Sequence, residues 1–260
     1  MIMLQRDIKG LILMTILIVS SIVACSSTDK ALKEIPFGEV ETLLRKADEL
    51  IKAGKYEEAR RFLERVKAED ASQEYAPLAQ LRIGDTYFAE ERYEEAEVEY
   101  EAFLDRYTYH TYAPYAQYRL GMTYFKRIGS VDVSYSMAKQ ALSAFEELLR
   151  RYPRNPYVEA TERRIKSCRS VLAEYELYVG KFYFKKGSYR AAIGRFEGIL
   201  RDYPDSRPEA EALYYIGLSY KKMGDHEKAT EAFNTLIERF PNTEFSRKAE
   251  EVIASSGSKP

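Results

Sequence analysis

Tryptophan is absent from the 260-residue chain, and cysteine and histidine occur twice each. Two cysteines cannot build a disulfide scaffold or a four-cysteine zinc site. His110 and His226 leave little room for histidine-based metal chemistry, and His226 follows Gly224-Asp225 at a turn. An excess of one charge is also missing: 40 Lys and Arg face 41 Asp and Glu, so the formal net charge is −1. That balance argues against nucleic acid as a partner held by a basic face. No Gly-x-Ser-x-Gly, no phosphate-binding Gly-Lys-Ser/Thr loop and no His-Glu-x-x-His occurs. The sequence therefore offers no catalytic residue and no metal site, and binding is expected rather than an enzymatic reaction. Charged residues make up 31% and apolar ones 45%, a mixture that can bury a core. Tyrosine is plentiful, at 22 residues.

The first 24 residues differ from all that follow. Arg6 and Lys9 form a short positive region, and Leu11 to Val19 is an apolar run broken only by Thr15. The run is shorter than the roughly 18–20 residues a membrane-spanning helix needs. A charged start, short apolar middle and small closing residue describe a secretory signal over 1–24. Ile22-Val23-Ala24-Cys25 resembles the lipobox of bacterial lipoproteins. That resemblance implies cleavage before Cys25, an S-diacylglycerol and N-acyl lipid (palmitate class) on it, and no other cofactor. Each buried methylene contributes about 0.8 kcal/mol, so three acyl chains exceed the marginal binding of one. Ser26 stands where an inner-membrane retention signal would carry aspartate, which implies the periplasmic, inner leaflet of an outer membrane. Residues 25–36 are expected to be a flexible lipidated tether. Cys168 is then the one thiol left, expected as buried filler in a helix.

The rest of the chain repeats itself. Gly84, Tyr87, Ala96, Tyr100 and Thr108 recur at identical offsets as Gly180, Tyr183, Ala192, Phe196 and Pro204. They recur again as Gly217, Tyr220, Ala229, Phe233 and Pro241. Ala47, Leu50, Ala59, Leu63 and Ala71 follow the same grid with weaker residues. Gly121 and Tyr124 open a further copy whose second half, Ala141, Phe145 and Pro153, arrives late because of an insertion around 128–137. This is the tetratricopeptide (TPR) pattern of small, aromatic, alanine, aromatic and proline. Small residues let paired helices approach, aromatics fill the space around them, and proline ends the second helix. The predicted fold class is all-α: a right-handed superhelix, or solenoid, of five TPR-like helix pairs with a C-terminal capping helix. The repeat domain spans 37–254. Its repeats lie at about 39–72, 75–109, 112–154, 156–205 and 208–241, its cap at 243–254, and a disordered tail at 255–260. Residues 156–186 are expected as one helix of about 45 Å at 1.5 Å per residue.

The lipobox, the tether, five repeats, an insertion in the third and a long helix opening the fourth together resemble the BamD (YfiO/ComL-like) family of outer-membrane β-barrel assembly lipoproteins. The resemblance is densest from Ala141 to Ser206, including LAEYELYVGKFYFKKGSYRAAIGRFEGILRDYPDS. Two departures are Asp70-Ala71 where the family carries Tyr-Pro, and Thr108 in place of proline. The resemblance implies a scaffold that docks through its C-terminal repeats on the last periplasmic (POTRA) domain of a BamA-like barrel protein. Its N-terminal repeats would meet unfolded β-barrel precursors, and other assembly lipoproteins are possible partners. Arg195 of Gly194-Arg195-Phe196-Glu197 matches the family position that pairs with an acidic residue of the barrel protein, with Glu197 and Arg201 beside it. A guanidinium fork suits a carboxylate. The plainer alternative is an exposed arginine paired with Glu197 or Asp202. Tyr109, Tyr112 and Tyr115 are substrate-groove candidates, because rings with a polar tip suit a mixed peptide groove; packing between repeats is the alternative. A different role, as a CpoB-like adaptor of the Tol and peptidoglycan system, shares the repeat grammar but normally lacks a lipid anchor.

Overall fold

The computed structural model describes residues 30–129 and 131–257. The signal segment 1–24 and Cys25 lie outside the described residues. All regular elements among the described residues are helices. They are α1 (Val40–Lys52), α2 (Tyr56–Glu69), α3 (Ala76–Ala89), α4 (Tyr93–Arg106), α5 (Ala113–Lys126), α6 (Val131–Arg151), α7 (Val158–Lys185), α8 (Tyr189–Asp202), α9 (Glu209–Met223), α10 (His226–Arg239) and α11 (Glu244–Gly257). Two units divide the chain, at Ala116 and Gln117, and α5 crosses the division.

In the first unit α1, α2, α3 and α4 each pack against the next. Leu43, Ala47, Ala59, Phe62, Leu63 and Val66 form a core that Ala79 and Ile83 of α3 complete. In the second unit α6 to α11 pack in the same sequential way, and α9 also touches α7 and α11. Its core has two parts, one around Phe196 and Ile199 and one around Phe233, Leu236 and Ala249.

The repeat grammar has a direct steric reading. A Cβ placed on Gly84 would come within 3.0 Å of the Tyr100 ring. The same holds for Gly121 against Phe145, Gly180 against Phe196 and Gly217 against Phe233. The small residue of the first helix is thus the seat of the aromatic sixteen or more positions later. The alanine of each second helix, Ala59, Ala96, Ala141, Ala192 and Ala229, is buried. Between paired helices the turn is made by Gly54, Gly187 and Gly224, all at positive φ, and in the second repeat by Glu91 at φ 60.

Of three features, the first and third differ from the sequence-based expectation and the second settles what it left open. First, the described part of the 25–36 tether is not free: residues 30–34 are helical. Ala31, Leu32 and Ile35 pack on the first core. Arg65 donates to the carbonyls of Leu32, Ile35 (2.9 Å) and Pro36 (3.2 Å), so one guanidinium satisfies the polar backbone this packing brings in. Second, the insertion is realised within a helix. α6 begins at Val131 and runs 21 residues, so extra turns lengthen the helix instead of forming a loop. Third, α11 continues to Gly257, which takes 255–257 out of the expected tail. The helix gains its anchor from Phe245, Val252 and Ile253 packed on the last core. The long helix α7 has 28 residues; its buried positions run from Thr161 through Cys168 to Gly180.

Candidate functional site

Glycine seating brings α7 and α8 close enough for their polar residues to meet. Together with the extended start of α6 they enclose a cleft of about 450 Å³ in the second unit. Tyr135 of α6, Glu176 and Tyr183 of α7, and Arg195, Arg201 and Tyr203 at α8 line it. Ala191, Gly194 and Gly198 give one wall no bulk, and a Cβ on Gly194 would meet nothing within 4 Å. The tyrosines supply flat, amphipathic surface. Tyr135 also packs at 4.6 Å, with its ring tilted, against Tyr175, which fixes the insertion's first turns to the long helix.

Arg195 occupies this cleft with its side chain 45% exposed. Its Nη1 donates to Glu176 Oε2 at 3.0 Å, and Glu176 is only 14% exposed. That hydrogen bond first, and the carboxylate's charge second, hold the guanidinium above its ordinary pKa. The plainer sequence alternative, pairing with Glu197 or Asp202, is not what forms. Arg201 instead forks onto Asp202, at 2.9 and 2.8 Å, in the open. Glu197 is exposed on α8 but does not line the cleft. Of the three partner-binding candidates, Arg195 and Arg201 therefore share one site and Glu197 lies outside it. Glu176, Tyr135 and Tyr203 were not singled out by sequence. Nothing in a linear pattern joins Glu176 to Arg195 across a helix turn, and Tyr135 sits in the insertion where the grid offers no register.

The tyrosine candidates of the first unit separate in the same way. Tyr109 is fully exposed, and Tyr112 is exposed beside it. Between them His110 packs edge-on against Phe103 at 5.8 Å and accepts the Tyr112 N–H at 3.2 Å, so the loop carrying both rings is tied to α4. Tyr115 does not join them. Its hydroxyl donates to Asp85 at 2.7 Å, and the same carboxylate accepts the Tyr100 hydroxyl at 2.6 Å. Tyr115 is thus committed to packing between repeats, the alternative left open above.

Cys168 is free and buried, and burial raises its thiol to about 12. That places it among inert core thiols. Among the described residues no group of three His, Cys, Asp or Glu could hold a metal ion. Nor is any described helix long and apolar enough to cross a membrane.

Comparison with known proteins fits this architecture. The family described as "YfiO: Outer membrane lipoprotein" matches residues 38–232. A protein of Vibrio cholerae named outer membrane protein assembly factor BamD is 37% identical over 75 residues, covering 29% of this chain and 31% of that protein. The protein of the same name from Pasteurella multocida is 33% identical over 87 residues, covering 34% of each. These alignments span about a third of the relatives' length. The TPR2AB domain of yeast Sti1, solved in a complex with pHSP90, aligns over 85% of this chain at 14% identity with a TM-score of 0.47. The helix-pair repeats, the long seventh helix and the match over most of the chain lead to one assignment: this chain belongs to the YfiO family of outer membrane lipoproteins.

Proposed function

We propose that this protein is a non-enzymatic scaffold of the outer-membrane β-barrel assembly machinery. The observation that carries the proposal is the Arg195 cleft, an arginine held among tyrosines in the part of the chain that most resembles the BamD family. In this reading the second unit docks on the periplasmic domain of a BamA-like barrel protein, and Arg195 receives an acidic side chain of that partner. Tyr109 and Tyr112 offer exposed rings to unfolded barrel precursors. Lipid on Cys25 anchors the chain in the periplasmic leaflet of the outer membrane. Desolvated charge pairs of this kind cost about 2–5 kcal/mol when one partner is truncated.

Co-purification from solubilised membranes tests the reading. The wild-type chain is expected to bring down the BamA-like protein. Arg195→Glu is expected to lose most of it while its helicity stays unchanged. Retention of the barrel protein by the variant would remove Arg195 as the anchor. Cys25→Ser is expected to move the chain from the membrane to the soluble periplasmic fraction; a variant that stays membrane-bound would overturn the lipid assignment.

A further inference from the structure

Arg195 is not waiting empty for a partner. Its guanidinium already holds Glu176, which is largely buried in the wall of the same cleft. The pairing is single-pointed: Nη1 donates to Oε2 at 3.0 Å, whereas an arginine fork can hold a carboxylate with two parallel bonds. No other ion pair of Arg195 forms among the described residues. The guanidinium therefore keeps an open edge toward solvent, and Glu176 sits behind it. The remaining wall is tyrosine, alanine and glycine, with Arg201 and Asp202, whose charges pair with each other.

A carboxylate arriving at Arg195 thus meets a site whose positive charge is already half spent. Two carboxylates on one guanidinium leave a net negative charge in a cleft that docking would desolvate, and like charges at close range disfavour each other. The incoming group must displace Glu176 or bear its repulsion. We propose that Glu176 is an internal competitor for Arg195: it stands in for the partner's carboxylate in the free protein and is displaced or outbid on docking. Glu176 would hold the arginine extended and ready, and would also set how acidic a partner surface must be to dock. This inference rests on the reading of Arg195 as the docking residue and adds the residue that tunes it.

The test uses the lipidated full-length chain in detergent. The probe is the soluble periplasmic region of the BamA-like protein, titrated at low and at physiological salt. Four forms are compared: wild type, Arg195→Ala, Glu176→Gln and the double variant. Glutamine keeps an acceptor for Arg195 but removes the charge. Glu176→Gln is expected to tighten binding on the order of twofold to fivefold, the scale of a partly exposed ion pair. The gain should shrink with salt and vanish when Arg195 is alanine. If Arg195→Ala weakens binding but Glu176→Gln leaves it unchanged or weakens it, Glu176 merely positions the arginine and the competitor role is wrong. If Arg195→Ala has no effect, the docking role of Arg195 falls, and the competitor role with it. Circular dichroism and melting curves for each variant separate these results from misfolding.

Discussion

Two corners of the molecule solve one problem from opposite directions. The corner between the first and second repeats lacks the Tyr-Pro that closes others. Asp70, at the end of α2, reaches forward instead. Its carboxylate accepts the N–H of Tyr75 at 2.6 Å and of Ala76 at 2.7 Å, and the Ser72 hydroxyl at 2.5 Å. The corner between the fourth and fifth repeats has its proline, Pro204, yet it too is closed by a buried carboxylate. There Glu209, the first residue of α9, reaches back to the Asp205 N–H and pairs with Arg239 at 2.7 Å. Both corners carry a non-glycine residue at positive φ, Gln73 at 59° and Asp205 at 62°. The lesson is that proline ends a helix here but does not by itself build the turn. A polar side chain must also satisfy amide groups in the turn or at the next helix start. Where proline is missing, a shorter acid placed before the turn serves.

The comparison yields its largest test at the fourth corner. Glu209 is 1% exposed, so Glu209→Ala empties a buried position and removes the bonds to Arg239 and to the Asp205 amide together. A loss of about 1–3 kcal/mol is expected by chemical denaturation. A neutral result would mean that Pro204 alone sustains the corner.

Asp70→Ala comes next, at about 0.5–2 kcal/mol, the usual worth of a side chain capping a helix start. Its pH dependence is the sharper readout. Burial pushes the Asp70 carboxyl up, but the hydrogen bonds from Ser72, Ala76 and Tyr75 outweigh it and hold the pKa below the ordinary value. A lowered folded pKa means stability that is present above the unfolded value, about 3.9, and lost as pH falls through the folded one. The gap between wild type and Asp70→Ala is therefore expected in full at pH 7 and to close as pH drops below about 4. A gap that stays constant into strong acid would show that the carboxylate charge plays no part in closing the corner.

The smallest effect concerns how the first repeat is entered. Arg65 ties residues 32–36 to α2, whereas the last repeat is closed by an apolar helix face. Arg65→Ala is expected to change global stability by less than about 1 kcal/mol, in the range of surface polar contacts. It should nevertheless open 30–36 to limited proteolysis. Unchanged cleavage would show that Leu32 and Ile35 packing suffices.

Much of this was legible in order of residues. The glycine-to-aromatic interval announces the helix pairs because the close approach at Gly180 or Gly217 permits no side chain, a constraint that survives in one dimension. Cys168 was legible for a similar reason: one thiol on the apolar stripe of a helix has nowhere else to go. Arg195 was legible only through resemblance. Its partner Glu176 was not legible at all, because ion pairs across helices depend on which rotamer each long side chain adopts. The insertion was legible in place but not in form. Residues 128–137 interrupt the repeat grid, and α6 absorbs those from Val131 on because helix turns can be added without breaking the ladder of hydrogen bonds. Tyr115 was placed with the exposed tyrosines by proximity alone, and Asp85 drew it inward.

By itself the amino-acid order determined the helical repeats, their register and the positions too crowded for a side chain, since these follow from local sterics and hydrophobic period. Only the tertiary structure decided which charges meet: Asp70 with the amides of α3, Glu209 with Arg239, and Glu176 with Arg195. Those meetings depend on distances between helices that no local interaction sets.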